Sequence, residues 1–211
     1  MASSNALLPC PSWIWSNNSD IHAAKDRSWF GDDYTPLNSF VNDIMGGSTQ
    51  VVGIGTVDLP TKTDPTKTGP RAHGILRLNN VLHAPGLLCN IIGRPVEDDY
   101  KIQDISSQSD QSGFIISRSN GRSVAYFKPL TRARFFEVRL SGPPVGPKVG
   151  PSPLNQQGIM LIHAFWPNSE REKFIALQAA TDAATDGLTD AEKTWLKERY
   201  GGEYRFLKDY S

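Results

Sequence analysis

Cysteine is scarce in this chain, and Cys10 and Cys89 are its only two cysteines. They form no Cys-x-x-Cys pair, and the four histidines do not have the spacing of zinc ligands, so no metal site is predicted. Gly53 and Gly55 are not followed by the helix and the Lys-Ser/Thr pair of a phosphate-binding loop. The sequence therefore predicts two free thiols, no metal and no cofactor.

Net charge and long apolar runs are missing as well. The 22 Lys and Arg residues balance the 22 Asp and Glu residues, which gives a formal net charge of zero. A neutral chain lacks the positive surface by which general nucleic-acid binders and membrane-surface proteins hold anionic partners. No window approaches the roughly 20 apolar residues of a membrane span, and residues 1–8 lack the basic and apolar parts of a signal peptide. We therefore expect a cytoplasmic protein with no nucleic-acid partner and no membrane partner.

Short apolar runs separated by glycine, proline and polar residues fill residues 13–141 and predict an all-β unit. Residues 51–59 alternate at the strand period of two, and Gly46-Gly47 just before them suits a hairpin tip. Residues 75–82 are a further strand candidate. Asn120-Gly121 lies between two apolar runs, which is a strong signal for a hairpin turn.

The pattern changes after the β unit. Residues 142–154 are rich in proline and glycine, and they predict a linker because proline removes backbone donors and glycine lowers order. Residues 155–211 contain two capping-box patterns, Ser169-x-x-Glu172 and Thr189-x-x-Glu192, and each predicts the start of a helix. The apolar faces of these helices are narrow, so we expect them to pack on the β unit or on a second subunit. Residues 1–12 are an N-terminal extension.

Residues 13–22 read Trp13-Ile14-Trp15-Ser16-Asn17-Asn18-Ser19-Asp20-Ile21-His22, an apolar run with two tryptophans that leads into a polar stretch. It resembles the start of the protease domain in copia-type retrotransposon polyproteins, where an apolar run with Trp leads into Asp-Ser/Thr-Gly-Ala-Ser/Thr-x-His. On that pattern Ser16 stands in the place of the catalytic Asp, and Asn18 stands in the place of the Gly. His22 matches the His of the family.

Further segments carry the same resemblance. Residues 76–92 match the family pattern apolar-x-apolar-x-x-Val-Leu-x-x-Pro-Gly-Leu-x-x-Asn-Leu-Leu with unbroken spacing. Asp26-Arg27-Ser28-Trp29-Phe30 is similar to the family's Asp-Arg-x-x-Phe, and the resemblance extends over roughly residues 13–140. Residues 188–207 resemble the tails of uncharacterised fungal proteins that carry the same protease-like domain.

The resemblance implies a mainly β protein, namely a small, closed, retropepsin-like β-barrel with a C-terminal α-helical appendage. It also implies that proteolysis is lost, because these proteases are homodimers in which two Asp carboxylates share a proton and activate water. A Ser16 hydroxyl is no general base near neutral pH. Asp20 lies four residues along the loop, so its carboxylate would leave the dimer axis. A homodimer and a monomer whose helices cover the old interface are both compatible with the sequence.

Two classes of function follow from the lost activity. The first is a binding module that uses the old cleft or dimer interface to hold a small molecule or a protein partner. The second is a cofactor-free cyclase or isomerase, for example in fungal secondary metabolism, because such reactions need shape and a few hydrogen bonds more than a nucleophile. Core packing is the plainer role for the nearby aromatic residues, and anchoring the loop is the plainer role for its histidine. The candidate polar residues are Ser16, Asn17, Asn18, Asp20 and His22, and the candidate aromatic lining is Trp13, Trp15, Trp29 and Phe30.

Overall fold

The structure is a computed structural model that describes residues 8–103, 113–129, 135–155, 162–185, 189 and 191–192. Two sheets and a C-terminal helix dominate these residues, so the protein is mainly β, as predicted. The strands are β1 (Trp13–Trp15), β2 (Ala23–Ala24), β3 (Thr35–Asn42), β4 (Ser48–Lys62), β5 (His73–His83), β6 (Asn90–Ile92), β7 (Tyr100–Gln103), β8 (Phe114–Ser117), β9 (Ser123–Tyr126) and β10 (Phe136–Glu137). The helices are α1 (Val96–Asp99) and α2 (Asn168–Thr185).

The two longest strands, β4 and β5, form the longest strand pair of the larger sheet and confirm the strands predicted at residues 51–59 and 75–82. They pair antiparallel, with Val57 opposite Leu78 and Leu59 opposite Leu76. All four of these side chains are almost completely buried. Cross-strand apolar pairs of this kind are the unit by which a sheet is stabilised, so this pairing anchors the core.

Both predicted hairpin turns are present. The tip between β3 and β4 falls at Gly46-Gly47, and the turn between β8 and β9 contains Asn120-Gly121. Gly121 has a φ of 68°, a left-handed conformation that glycine adopts without steric cost. These turns were predictable because their residues determine the backbone locally.

A strand from the middle of the chain separates β1 from β2. In the larger sheet β6 lies between them, parallel to β1 and antiparallel to β2, so that Ile91 is opposite both Ile14 and Ala23. The Ser16–His22 loop connects β1 to β2 and therefore has to pass over the end of β6. This crossing fixes the position of the loop in the fold.

The larger sheet has the order β10-β1-β6-β2-β5-β4-β3, and β7-β8-β9 form a second sheet. Among the described residues the end strands β10 and β3 do not pair with each other, so strand pairing alone does not close the barrel that the resemblance implies. Isolated bridges join Thr61 to Leu140 and Phe127 to Val138. The chain around β10 therefore contacts both the larger and the smaller sheet.

The core has two apolar clusters. One contains Ile14, Ile21 and Ile91 together with Ile162 and Trp166 from the C-terminal segment, and the other contains the tryptophans of the N-terminal region. Cys10 and Cys89 are buried free thiols, as predicted. In the described part of the chain no helix is long and apolar enough to cross a membrane.

The structure of the C-terminal region can be compared with its predicted linker and its two predicted helix starts. Within the linker predicted at residues 142–154, residues 142–152 contain neither helix nor strand, whereas the last two residues belong to a short 3-10 helix (Pro153–Asn155) that was not predicted. Helix α2 begins at Asn168, one residue before the predicted cap at Ser169. The second capping box is confirmed, since the Thr189 backbone N–H donates to Glu192 Oε2 over 2.8 Å and the Glu192 N–H points back to Thr189 Oγ1 at 3.4 Å. The helix predicted to follow lies outside the described residues.

Candidate functional site

The Ser16–His22 loop is held from below by the end of β6. The Ser16 N–H donates to the Ile92 carbonyl over 2.9 Å, and the Arg94 N–H donates to the Ser19 carbonyl over 2.8 Å. Within the loop, the Ser19 N–H donates to the Ser16 carbonyl over 3.1 Å and closes a turn. Asn17 and Asn18 are exposed at the tip of this turn, so these two candidate residues face solvent instead of a cleft.

His22 ends the loop as a buried, neutral anchor. Its side chain is only 2 % exposed, and its Nδ1 accepts the Gly93 backbone N–H over 3.0 Å. Desolvation by burial lowers the pKa of His22 to about 4, so the ring is neutral at physiological pH and carries its proton on Nε2. Gly93 is required here because a Cβ would lie 2.2 Å from the Ile21 carbonyl oxygen. The anchoring role expected for His22 is therefore observed.

From above, the loop is closed by a short piece of the same chain, which we call the covering segment (residues 162–166). The Ser16 hydroxyl donates to the Ile162 carbonyl over 3.0 Å. The Ala164 N–H donates to Ser19 Oγ over 3.0 Å, and the Asp20 N–H donates to the Ala164 carbonyl over 3.2 Å. Ser19 Oγ also donates to Ser16 Oγ over 3.0 Å, so both hydroxyls are bound inside this network.

Asp20 ties the covering segment to helix α2. One carboxylate oxygen accepts the Trp166 backbone N–H over 2.9 Å, and the other lies 2.9 Å from Arg171 Nη2. Arg171 in turn donates to the Trp166 carbonyl over 3.0 Å. The Asp20 carboxylate is therefore an anchor for the C-terminal segment, not a free base.

Strand β3 holds the same segment from its other side. The backbones of Asn42 and Phe165 exchange two hydrogen bonds. Ser39 Oγ accepts the Trp166 indole N–H over 3.0 Å and donates to a Glu170 carboxylate oxygen over 2.9 Å. The hydrogen bond from Lys173, and then that from Ser39, lowers the pKa of Glu170 below its usual value. This side chain is thus ionised and paired in the folded protein.

These contacts change what the loop can do chemically. Ser16 is 8 % exposed and Ser19 is fully buried beneath the covering segment. The corresponding loop of a second subunit cannot reach Ser16 unless that segment leaves. The loop therefore has the geometry of an internal docking site and not that of an open catalytic cleft.

The four aromatic candidates pack mainly in the core. Trp13 is fully buried and meets Trp29 edge to face at 5.7 Å, and Trp15 stacks near Phe127 at 6.1 Å. Trp29 and Phe30 also border a shallow cleft of about 460 Å³ whose rim carries several aspartates. The plainer interpretation of these residues, core packing, describes most of their contacts.

A second groove, which we call the His22 groove, lies beside the loop and has a volume of about 470 Å³. His22 and Trp166 line it, together with residues 77–80 of β5, α1 and the start of β7 on one side and the first part of α2 on the other. The walls contribute Asn80, Tyr100, Phe174 and Ile175 among others. Sequence reasoning missed all of these wall residues because they come from three distant parts of the chain. Asn80 has a φ of 53°, which is unusual for a residue other than glycine, but this angle is not visible in the sequence.

Comparison with known proteins adds no precedent for this site. No family model, no curated protein and no solved structure matches this chain. Within the described ranges, no group of three or more His, Cys, Asp or Glu side chains is arranged to hold a metal ion. A function therefore has to be inferred from the chemistry of the residues in the loop and the groove.

Proposed function

We propose that this protein is a non-proteolytic, host-retained domain of the copia-type retropepsin-like class that acts as a binding module, with the His22 groove as its binding site. The observation that carries the proposal is the Ser16 hydroxyl, which donates to the Ile162 carbonyl of the same chain and stands where the resemblance to the protease family places the catalytic carboxylate. General acid–base activation of water by a dyad needs two carboxylates within a few ångströms of each other. Here the position offers a hydroxyl that is already bound.

The strand arrangement supports the retropepsin-like part of the proposal. The loop passes over a strand that is inserted between the two strands it connects. We propose a barrel that closes through the single bridges Thr61–Leu140 and Phe127–Val138 instead of through a continuous ladder. The covering segment takes the place of a second subunit over the loop, so the proposed state is a monomer of 23.3 kDa.

A proteolysis assay tests the loss of activity. The full chain should leave an unstructured substrate such as casein intact from acidic to neutral pH. Ser16→Asp, and Ser16→Asp combined with Asn18→Gly, should also remain inactive because the covering segment still lies over the loop. Pepstatin-sensitive cleavage by the unaltered protein would refute the proposal, and sedimentation as a dimer would refute the monomer.

A cofactor-free cyclase or isomerase is the second candidate, and one observation favours it. The neutral His22 ring lines the groove with a protonated nitrogen, and the Tyr100 hydroxyl lies in the same groove. Such donors are the groups that stabilise developing negative charge in a desolvated site. An NMR spectrum of a ligand recovered after binding separates the two functions, since a binding module returns the ligand unchanged and a cyclase or isomerase returns an isomer of the same mass.

A further inference from the structure

The His22 groove has the size of a small-molecule site, since its volume of about 470 Å³ falls in the range of drug-sized ligand pockets. Its lining is mixed, with mostly polar and charged side chains along the wall formed by β5 and α1. Trp166, Phe174 and Ile175 place apolar surface along one side of it. Ile175 is 62 % exposed although it borders the groove, so an apolar ligand body would remove its side chain from water.

The floor of the groove offers one unused donor. His22 Nδ1 accepts the Gly93 N–H, so in the neutral ring the proton is on Nε2. Among the described residues no acceptor is bonded to this Nε2. It is not one of the fully buried polar atoms without a partner, which are the indole nitrogens of Trp13, Trp15 and Trp29 and Nδ1 of His163. The Nε2–H is therefore open to the groove, where an oxygen atom of a ligand can accept its hydrogen bond in place of water.

The charges around the groove argue against an acidic ligand. Its two cations are already neutralised, because Arg77 pairs with Asp58 and Arg171 pairs with Asp20. Asp98 and Asp99 are exposed at the rim, and neither forms an ion pair with another described residue. A carboxylate or phosphate on the ligand would therefore approach a rim with excess negative charge.

We infer that the His22 groove binds a neutral, largely apolar small molecule with a carbonyl oxygen, and that this oxygen accepts the hydrogen bond from His22 Nε2. The apolar body lies along Trp166, Phe174 and Ile175. This inference rests on the proposed binding function and specifies the class of its ligand.

Three related probes test the ligand class on the full-length, ¹⁵N-labelled protein by chemical-shift titration. They are 9-fluorenone, which is neutral and has a carbonyl, fluorene, which has the same ring system without it, and 9-fluorenone-2-carboxylate, which adds a negative charge. Fluorenone should bind with shifts at groove residues. Fluorene should bind roughly fivefold more weakly because the hydrogen bond is lost, and the carboxylate should also bind more weakly than fluorenone.

Two variants with a matched control locate the interaction. His22→Asn keeps an acceptor for the Gly93 N–H, but its side chain is too short to place its amide NH2 donors at the position of His22 Nε2, so fluorenone and fluorene should bind it equally. Ile175→Glu should weaken fluorenone binding roughly tenfold. Ile75→Glu is the control, because Ile75 is also about half exposed, at 51 %, but lies outside the groove, and it should leave binding unchanged.

The outcomes separate the ligand class from the binding function. Equal binding of fluorene and fluorenone to the unaltered protein, or tightest binding of the carboxylate, would overturn the ligand class and leave a binding groove in place. Absence of groove shifts with all three probes would overturn both the ligand class and the use of this groove as a binding site.

Discussion

Replacing His22 with asparagine should change how the stability of the protein depends on pH. In the folded protein the pKa of His22 is about 4 because the ring is buried, whereas an unfolded histidine titrates near 6.5. The unfolded chain therefore binds a proton at this position as the pH falls below 6.5, while the folded protein does not. Stability contributed by the neutral histidine is complete above pH 6.5 and is lost as the pH falls toward 4.

The size of this effect follows from the two pKa values. Each pKa unit corresponds to about 1.4 kcal/mol, so the full loss below pH 4 is about 3 kcal/mol, and the loss at pH 5 relative to pH 7.5 is about 2 kcal/mol. Asparagine at position 22 can still accept the Gly93 N–H and does not titrate. The free energy of unfolding of the variant, relative to the unaltered protein, should therefore rise by about 2 kcal/mol between pH 7.5 and pH 5.

Urea unfolding followed by tryptophan fluorescence at several pH values measures this difference. Other groups that titrate in this range, including His83, whose pKa burial also lowers, contribute equally to both proteins and cancel in the comparison. A ¹H–¹⁵N titration of the unaltered protein provides a check that needs no variant. A difference in unfolding free energy that is the same at pH 5 and pH 7.5, or a His22 resonance that titrates near 6.5, would refute the reasoning.

Three further substitutions test the contacts around the loop, each by urea unfolding. Gly93→Ala should lower the free energy of unfolding by about 3 kcal/mol, because the added Cβ would overlap the Ile21 carbonyl. Gly142→Ala, where the added Cβ meets open space, should change it by less than about 1 kcal/mol. Equal effects of the two substitutions would contradict the close contact at Gly93. Ser39→Ala should cost about 1–3 kcal/mol because it leaves the buried Trp166 indole N–H without an acceptor, and no loss would mean that another acceptor is in reach. Asp20→Asn should cost about 1 kcal/mol at low salt, and the loss should shrink as salt is added; a salt-independent loss would show that the Arg171 pair does not matter.

The two longest strands and both hairpin turns could be predicted because their signals are local. β-branched alternation marks β4, and Asn120-Gly121 marks a turn whose backbone those two residues determine themselves. The Thr189 capping box was predictable for the same reason, since both partners lie within one helical turn. The role of His22 as an anchor was also among the predicted alternatives.

The covering segment and the groove were not predicted, and the reason is the distance between the contacting residues along the chain. Ser16 and Ile162 are 146 positions apart, and nothing local marks them as partners. Residues 162–166 do alternate, with Ile162, Ala164 and Trp166 buried and the two residues between them more exposed. That strand-like pattern is only five residues long and lies in a region whose stronger signals are helical.

The insertion of β6 between β1 and β2 has a consequence for biosynthesis. The buried Asn90 side chain donates to the Cys10 carbonyl, 80 positions away in the sequence. The loop after β1 can be covered only once residue 162 has been synthesised, because Ser16 bonds to the Ile162 carbonyl. Contacts this distant slow folding because the intervening chain must be ordered before they form. During synthesis β1 emerges before the two strands with which it pairs, so the nascent chain exposes this apolar strand until residues 90–92 and 136–137 have followed it.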